Sequence, residues 1–164
     1  MKKYEFTGET KRVELWNRTA TLHRIKATVE FGFVKVGELG GWIEKEENLS
    51  HEGKAWVWGN AKVCGDAEVC GNAEVWGNAK VCGDAKVFLA SHVLVMGSVG
   101  SRNDFTTFFR DKDNEITVKC GCFLGKIDKF LEKVTQTHGN NKYALVYRAA
   151  VEVAKLQIEL TERK

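Results

Sequence analysis

The chain contains no proline, so no turn can rely on a ring-locked φ, and its 16 glycines must carry the corners. It also lacks any run of about 18 apolar residues, the length a spanning helix needs. The start, Met1-Lys2-Lys3-Tyr4-Glu5-Phe6, has no apolar stretch behind its lysines. Neither export nor membrane insertion is therefore expected. Charge of one sign is scarce as well: 25 basic against 22 acidic residues leave a net +3, with no basic arm or acidic tail. Nucleic-acid binding is not indicated by such a balance. Five cysteines, an odd number with no secretion signal, fit a reducing cytosol better than a disulfide framework, and a cytoplasmic location is expected. What remains is the composition of a folded protein: 164 residues, 43% hydrophobic, enough for one domain with a small appendage.

A repeat organises the middle of the chain. From Ala55 the text reads AWVWGN, AKVCGD, AEVCGN, AEVWGN, AKVCGD, AKVFLA, SHVLVM, GSVGSR, eight hexads without insertion. Valine fills one column at 57, 63, 69, 75, 81, 87, 93 and 99, and a small residue stands two positions before each. Gly-Asn or Gly-Asp closes the first five hexads. In a short strand the small residue and the valine point to one side and their neighbours to the other. Gly followed by Asn or Asp then supplies a corner that tolerates positive φ. A strand of four with a corner of two, repeated every six residues, predicts a coil of three hexads per turn. The expected fold is mainly β: a short left-handed parallel β-helix with valines and alanines stacked inside.

The Val-x-Gly-[Asn/Asp]-Ala-x run resembles the hexapeptide-repeat superfamily. The segment Gly37-Glu38-Leu39-Gly40-Gly41-Trp42-Ile43-Glu44, followed by Asn48-Leu49-Ser50-His51-Glu52-Gly53, is similar to the lead-in of uncharacterised bacterial and prophage β-helix proteins of the YdcK-like kind. That resemblance spans roughly residues 20–100 and implies a fold and a mobile-element setting. It implies no activity.

Both ends of such a coil expose strand edges that need covering. Residues 1–43 are expected to form an N-terminal β cap from the strand-like runs Tyr4–Phe6, Lys11–Leu15, Thr19–Val29 and Phe31–Val36. The coil is assigned to 44–102, and 103–164 to a β-hairpin followed by two α-helices. In that tail Phe105–Arg110 and Glu115–Cys120 read as the hairpin. Ile127, Phe130, Leu131 and Val134 follow helical spacing up to His138-Gly139, and a second helix after Asn140-Asn141 puts Tyr147, Val151, Ala154 and Ile158 on one face.

Outward residues 18 apart should stack on one side of the coil. One side then carries Trp56, Trp58, Glu74, Trp76, His92 and Leu94, an apolar stripe larger than a monomer normally exposes. Three covers are open: the chain's own tail, a second subunit, or a foreign partner. A threefold homo-oligomer, common in the resembling superfamily, is the working state. Lys62, Lys80 and Lys86 on the other sides are candidate contacts for a small anionic ligand, against the plainer reading of a solvated face. Cys64 and Cys82 fall one turn apart and Cys120 and Cys122 lie close, but outward cysteines also pack well under a covering element, so no metal site is assigned.

The resembling superfamily includes acyltransferases that use a histidine base, which makes His51 and His92 the candidates for that chemistry. Uninterrupted hexads leave no loop to build a substrate cavity, so no catalytic residue and no cofactor is assigned. The favoured function is a non-catalytic, oligomeric binding protein: a phage or mobile-element accessory factor that antagonises a host defence system by binding a host protein or sequestering a nucleotide-type ligand. An acyltransferase-like enzyme and a polymer-forming structural module are the alternatives.

Overall fold

The computed structural model describes residues 2–15 and 17–160. Strands β1 (Tyr4–Leu15) and β2 (Arg18–Ala27) form an antiparallel hairpin whose register slips between Phe6 and Thr10. Gly8, at φ +92°, sits at that slip and lets β1 run through as one strand where two runs were expected. Strand β3 (Leu39–Ile43) pairs antiparallel with β2 and parallel with the first part of the repeat, Trp42 opposite Lys62. The hairpin is thereby spliced onto the hexads. Phe31–Val36, expected as a strand, makes only an isolated bridge between Phe31 and Val34.

Six hexads form two-residue strands: β4 (Trp56–Val57), β5 (Lys62–Val63), β6 (Glu68–Val69), β7 (Glu74–Val75), β8 (Lys80–Val81) and β9 (Lys86–Val87). They pair parallel as β4–β7, β5–β8 and β6–β9, each residue opposite the one 18 further on. The valine and alanine columns are buried between the ladders. At about 1.5–3 kcal/mol for each fully buried valine, this column is a principal source of stability.

The molecule is nevertheless not a closed left-handed parallel β-helix, and the expected fold class is corrected. It is mainly β with two helices, but its strands belong to a mixed five-stranded sheet ordered β1-β2-β3-β5-β8, two two-stranded parallel pairs and a separate four-stranded antiparallel sheet. Hexads seven and eight leave the ladder. Their residues become β10 (Val93–Val99), which pairs antiparallel with β11 (Asp104–Arg110), followed by β12 (Ile116–Cys120) and β13 (Phe123–Lys126). The reason lies in the corners. Gly59, Gly65, Gly71, Gly77 and Gly83 hold φ between +52° and +66°, whereas Leu89, at the next corner position, lies at −129° in extended backbone. With no Gly-Asn or Gly-Asp at the hexad corners after Asp84, valine spacing alone does not keep the chain turning.

The helices are α1 (Ile127–His138) and α2 (Lys142–Gln157). Gly139 at φ +60° ends α1, and the Asn141 side chain caps α2 by accepting from the amides of Tyr143 and Ala144. Both pack on the four-stranded sheet in a second core that includes Phe108, Val118, Phe130, Tyr147 and Val151.

Polar groups bind the repeat at each end. Asn48, fully buried, donates to the carbonyls of Gly65 and Ala67 and accepts from the amides of Glu44 and Lys45. His92 repeats half of that device 44 residues on, its Nδ1 accepting from the amides of Phe88 and Leu89 at 3.2 and 3.3 Å. Lys3 reaches Ala55 O at 2.7 Å, satisfying a carbonyl that has no preceding strand.

Candidate anion-binding site

The hairpin does more than close the repeat. Its inner residues Val13, Leu15, Ala20 and Leu22 pack with Trp42, Cys64 and Cys82 in a small apolar cluster of their own. The hairpin therefore roofs the side of the repeat that carries Lys62, Cys64, Lys80 and Cys82. Between roof and ladder lies a cavity of 290 Å³, which Lys119 of β12 also lines. A neighbouring cavity of 160 Å³ shares Leu15, Cys64, Cys82 and Lys119 with it.

Strand register puts Lys62 directly opposite Lys80. Like charges facing one another across a ladder are destabilising. Neither lysine makes an ion pair with a described residue. Burial, followed by the charges of Lys11 and Lys80, holds the Lys62 ammonium below the usual lysine range. Lys119 is buried and donates to the Gly121 carbonyl. Lys11 lies over the Trp42 ring at 4.4 Å. Glu14, exposed, is the single acid among the residues described as lining the cavity. The two thiols complete the floor side by side: the neighbouring Cys82 and burial raise the Cys64 thiol, while Cys64 together with Lys119 and Lys80 lowers Cys82.

The other lysine assigned to this role is elsewhere. Lys86 stands opposite Glu68 on β6 and is ion-paired with it. Lys62 and Lys80 are brought together and Lys86 is not. Lys119 had no local signal, because a lysine in the apolar alternation of Ile116–Cys120 gains its meaning only when β12 is packed against the repeat.

The tryptophan stripe is divided. Trp56 is fully buried, edge-on to Tyr4 and Phe31 at 6.3 and 5.3 Å, so the N-terminal cap covers it and not the tail. Trp58 and Trp76 stack face to face at 4.5 Å and 4°, and Trp76 remains 51% exposed. Glu74 borders a cleft with Phe33 and Lys54. His92 is buried as the turn residue described above, and Leu94 lies in β10 against the second core. Thus Trp56, His92 and Leu94 do not share an outward face with Trp58 and Trp76. Sequence spacing missed this because the cap packs over the first hexad and the seventh has left the ladder.

The histidines considered as bases are engaged in structure. His51 Nδ1 accepts from the Lys3 amide at 3.0 Å, and its ring stacks on Tyr4 at 4.1 Å. His92 Nδ1 is occupied as stated, and burial lowers its pKa. Among the described residues no group of three or more His, Cys, Asp or Glu is arranged to hold a metal, and no helix is long and apolar enough to cross a membrane. A further cavity of 160 Å³ lies between the four-stranded sheet and α1, lined by Arg102 and Lys133 together with Asp104, so its charge is mixed. The lysine cavity is the better candidate because it is larger and Lys62, Lys80 and Lys119 outnumber its one lining acid, Glu14. Comparison with known proteins finds no matching family model and no matching curated protein.

Proposed function

We propose that this chain is a non-catalytic binding protein that holds a small phosphate-bearing anion in the cavity between the β1–β2 hairpin and the β5–β8 face. The observation that carries this reading is Lys62 stacked on Lys80 beneath a roof, with Lys119 approaching from β12 and no ion pair to either stacked lysine from a described residue. An oxyanion between these ammoniums would offset their repulsion, and partial burial strengthens each charge-assisted hydrogen bond. A volume of 290 Å³ falls at the small end of ligand sites, suited to a phosphate or a mononucleotide. The resemblance to prophage-borne proteins supports a mobile-element setting, in which sequestering a nucleotide-type signal would antagonise a host system. Calorimetric titration with inorganic phosphate and AMP should show one site, weakened at least about tenfold in Lys80→Met, the scale of one lost charged hydrogen bond. Absence of binding by either ligand, or equal binding by Lys80→Met, would overturn the reading.

A second surface supports a protein-binding role beside it. Trp58 and Trp76 present a stacked indole pair with Trp76 half in the open, the kind of aromatic anchor that interfaces concentrate. Self-association into a trimer through this pair would show as smaller particles for Trp76→Ala in light scattering.

A further inference from the structure

The cavity floor carries chemistry that anion binding does not use. We infer that Cys64 and Cys82 form a dithiol site that hydrogen peroxide oxidises to an intramolecular disulfide. The inference stands apart from the anion reading, since it needs only the two thiols and their access to the cavity.

Geometry comes first. Cys64 and Cys82 follow β5 and β8 in register, and the Cys64 amide donates to the Val81 carbonyl at 2.9 Å. The cysteines are therefore strand neighbours, at the roughly 4.8 Å spacing of paired strands. That lies inside the range of about 4.4–6.8 Å between Cα atoms that a disulfide spans. Their side chains share one face and lie in one small apolar cluster. Both are nearly buried but line the cavity, so a small neutral oxidant reaches them where a bulky one does not.

Charge selects among the chemistries open to two thiols. Lys80 and Lys119 favour the thiolate form of Cys82 and disfavour a metal cation in the same place. Oxidation is thus favoured over metallation. Cys82, the sulfur on which the Lys80 and Lys119 charges act in the shared cavity, is the attacking one, and Cys64 the resolving one. The Cys82 thiolate attacks one peroxide oxygen, the O–O bond breaks, and hydroxide leaves to be protonated to water, giving Cys82 sulfenic acid. The Cys64 sulfur then attacks the Cys82 sulfur, the S–O bond breaks, and the hydroxyl leaves as water with the Cys64 proton. Each sulfur gives up one electron and peroxide takes two. Two thiols and one peroxide become one disulfide and two waters. Cys70 and Cys122 provide internal comparisons: Cys70 is half-buried on the β6–β9 side, opposite the Phe88 position, and Cys122 is exposed.

The test is stoichiometric peroxide added to the full-length reduced protein, followed by denaturing alkylation and peptide mapping. The expected result is loss of two hydrogens and a Cys64–Cys82 linked peptide, formed about tenfold faster than Cys70 is modified, as thiolate character dictates. Cys64→Ser should stop at Cys82 sulfenic acid, captured by a dimedone probe, and Cys82→Ser should leave Cys64 unmodified. Recovery of both wild-type cysteines as free thiols while Cys122 is oxidised would overturn the inference. The wild-type map decides even where a serine variant folds poorly.

Discussion

Two sides of the repeat carry the same sequence pattern and opposite electrostatics. On one, Lys62 is opposite Lys80; on the other, Glu68 is opposite Lys86. The second side is neutralised within the ladder by its own ion pair and faces solvent, as a charged strand position usually does. The first side pairs like with like and is then roofed by a hairpin, which makes the repulsion harder to screen. A ladder that can place an acid opposite a lysine at one site but places a second lysine at the equivalent site has room there for a negative charge from elsewhere. The proposed anion site rests on this contrast between the two sides.

The largest effect that breaks the comparison removes both sides together. Val75 is fully buried opposite Val57, and an aspartate there would place an unpaired carboxylate in the shared valine column. Val75→Asp should lose more than about 4 kcal/mol, read as loss of the cooperative melt. An unchanged melting temperature would contradict the shared core.

Charge reversal separates the sides at smaller cost. Lys80→Glu turns the first side into Lys62 opposite an acid and should raise stability by about 0.5–1 kcal/mol at low salt, while Lys86→Glu sets acid opposite Glu68 and should lower it by a similar amount. Denaturant melts with matched slopes would read both. Equal signs for the two variants would remove the distinction between the sides.

The hexad register, and hence the lysine-on-lysine and tryptophan-on-tryptophan pairs, was legible in the sequence because an 18-residue offset follows from spacing alone. So were the helices, whose ends are set by the local chemistry of Gly139 and Asn141. Where the coil stops was less visible: the valine column continues to Val99, and only the lost glycine corner marks the departure after Asp84. The roof was not visible at all. That Leu22 shares a cluster with Cys82, that Phe31 covers Trp56, and that Lys119 lines the cavity depend on contacts between segments about 25 to 100 residues apart, for which neither periodicity nor local propensity carries a signal.

A smaller effect sharpens the comparison through pH. Burial, then Lys11 and Lys80, lowers the Lys62 pKa, with Asp104 and Cys82 opposing. A lysine lowered in the folded state binds fewer protons than in the unfolded chain, so its cost is complete below its folded pKa and is relieved as pH rises toward the ordinary value of 10.5. Wild-type protein should therefore gain stability relative to Lys62→Met between neutral pH and pH 10.5. Melting temperatures across that window check it, and parallel curves for wild type and Lys62→Met would count against a buried, repelled ammonium.

The account rests most heavily on the claim that the roofed lysines, and not the ion-paired lysine or the open tryptophans, receive the ligand. Amide chemical-shift mapping during titration with AMP tests it on the whole molecule at once. Shifts should concentrate at Leu15, Lys62, Cys64, Lys80 and Lys119, with Lys86, Trp58 and Trp76 unmoved; shifts centred on Trp58 and Trp76 or on Lys86, with the roofed lysines silent, would contradict it.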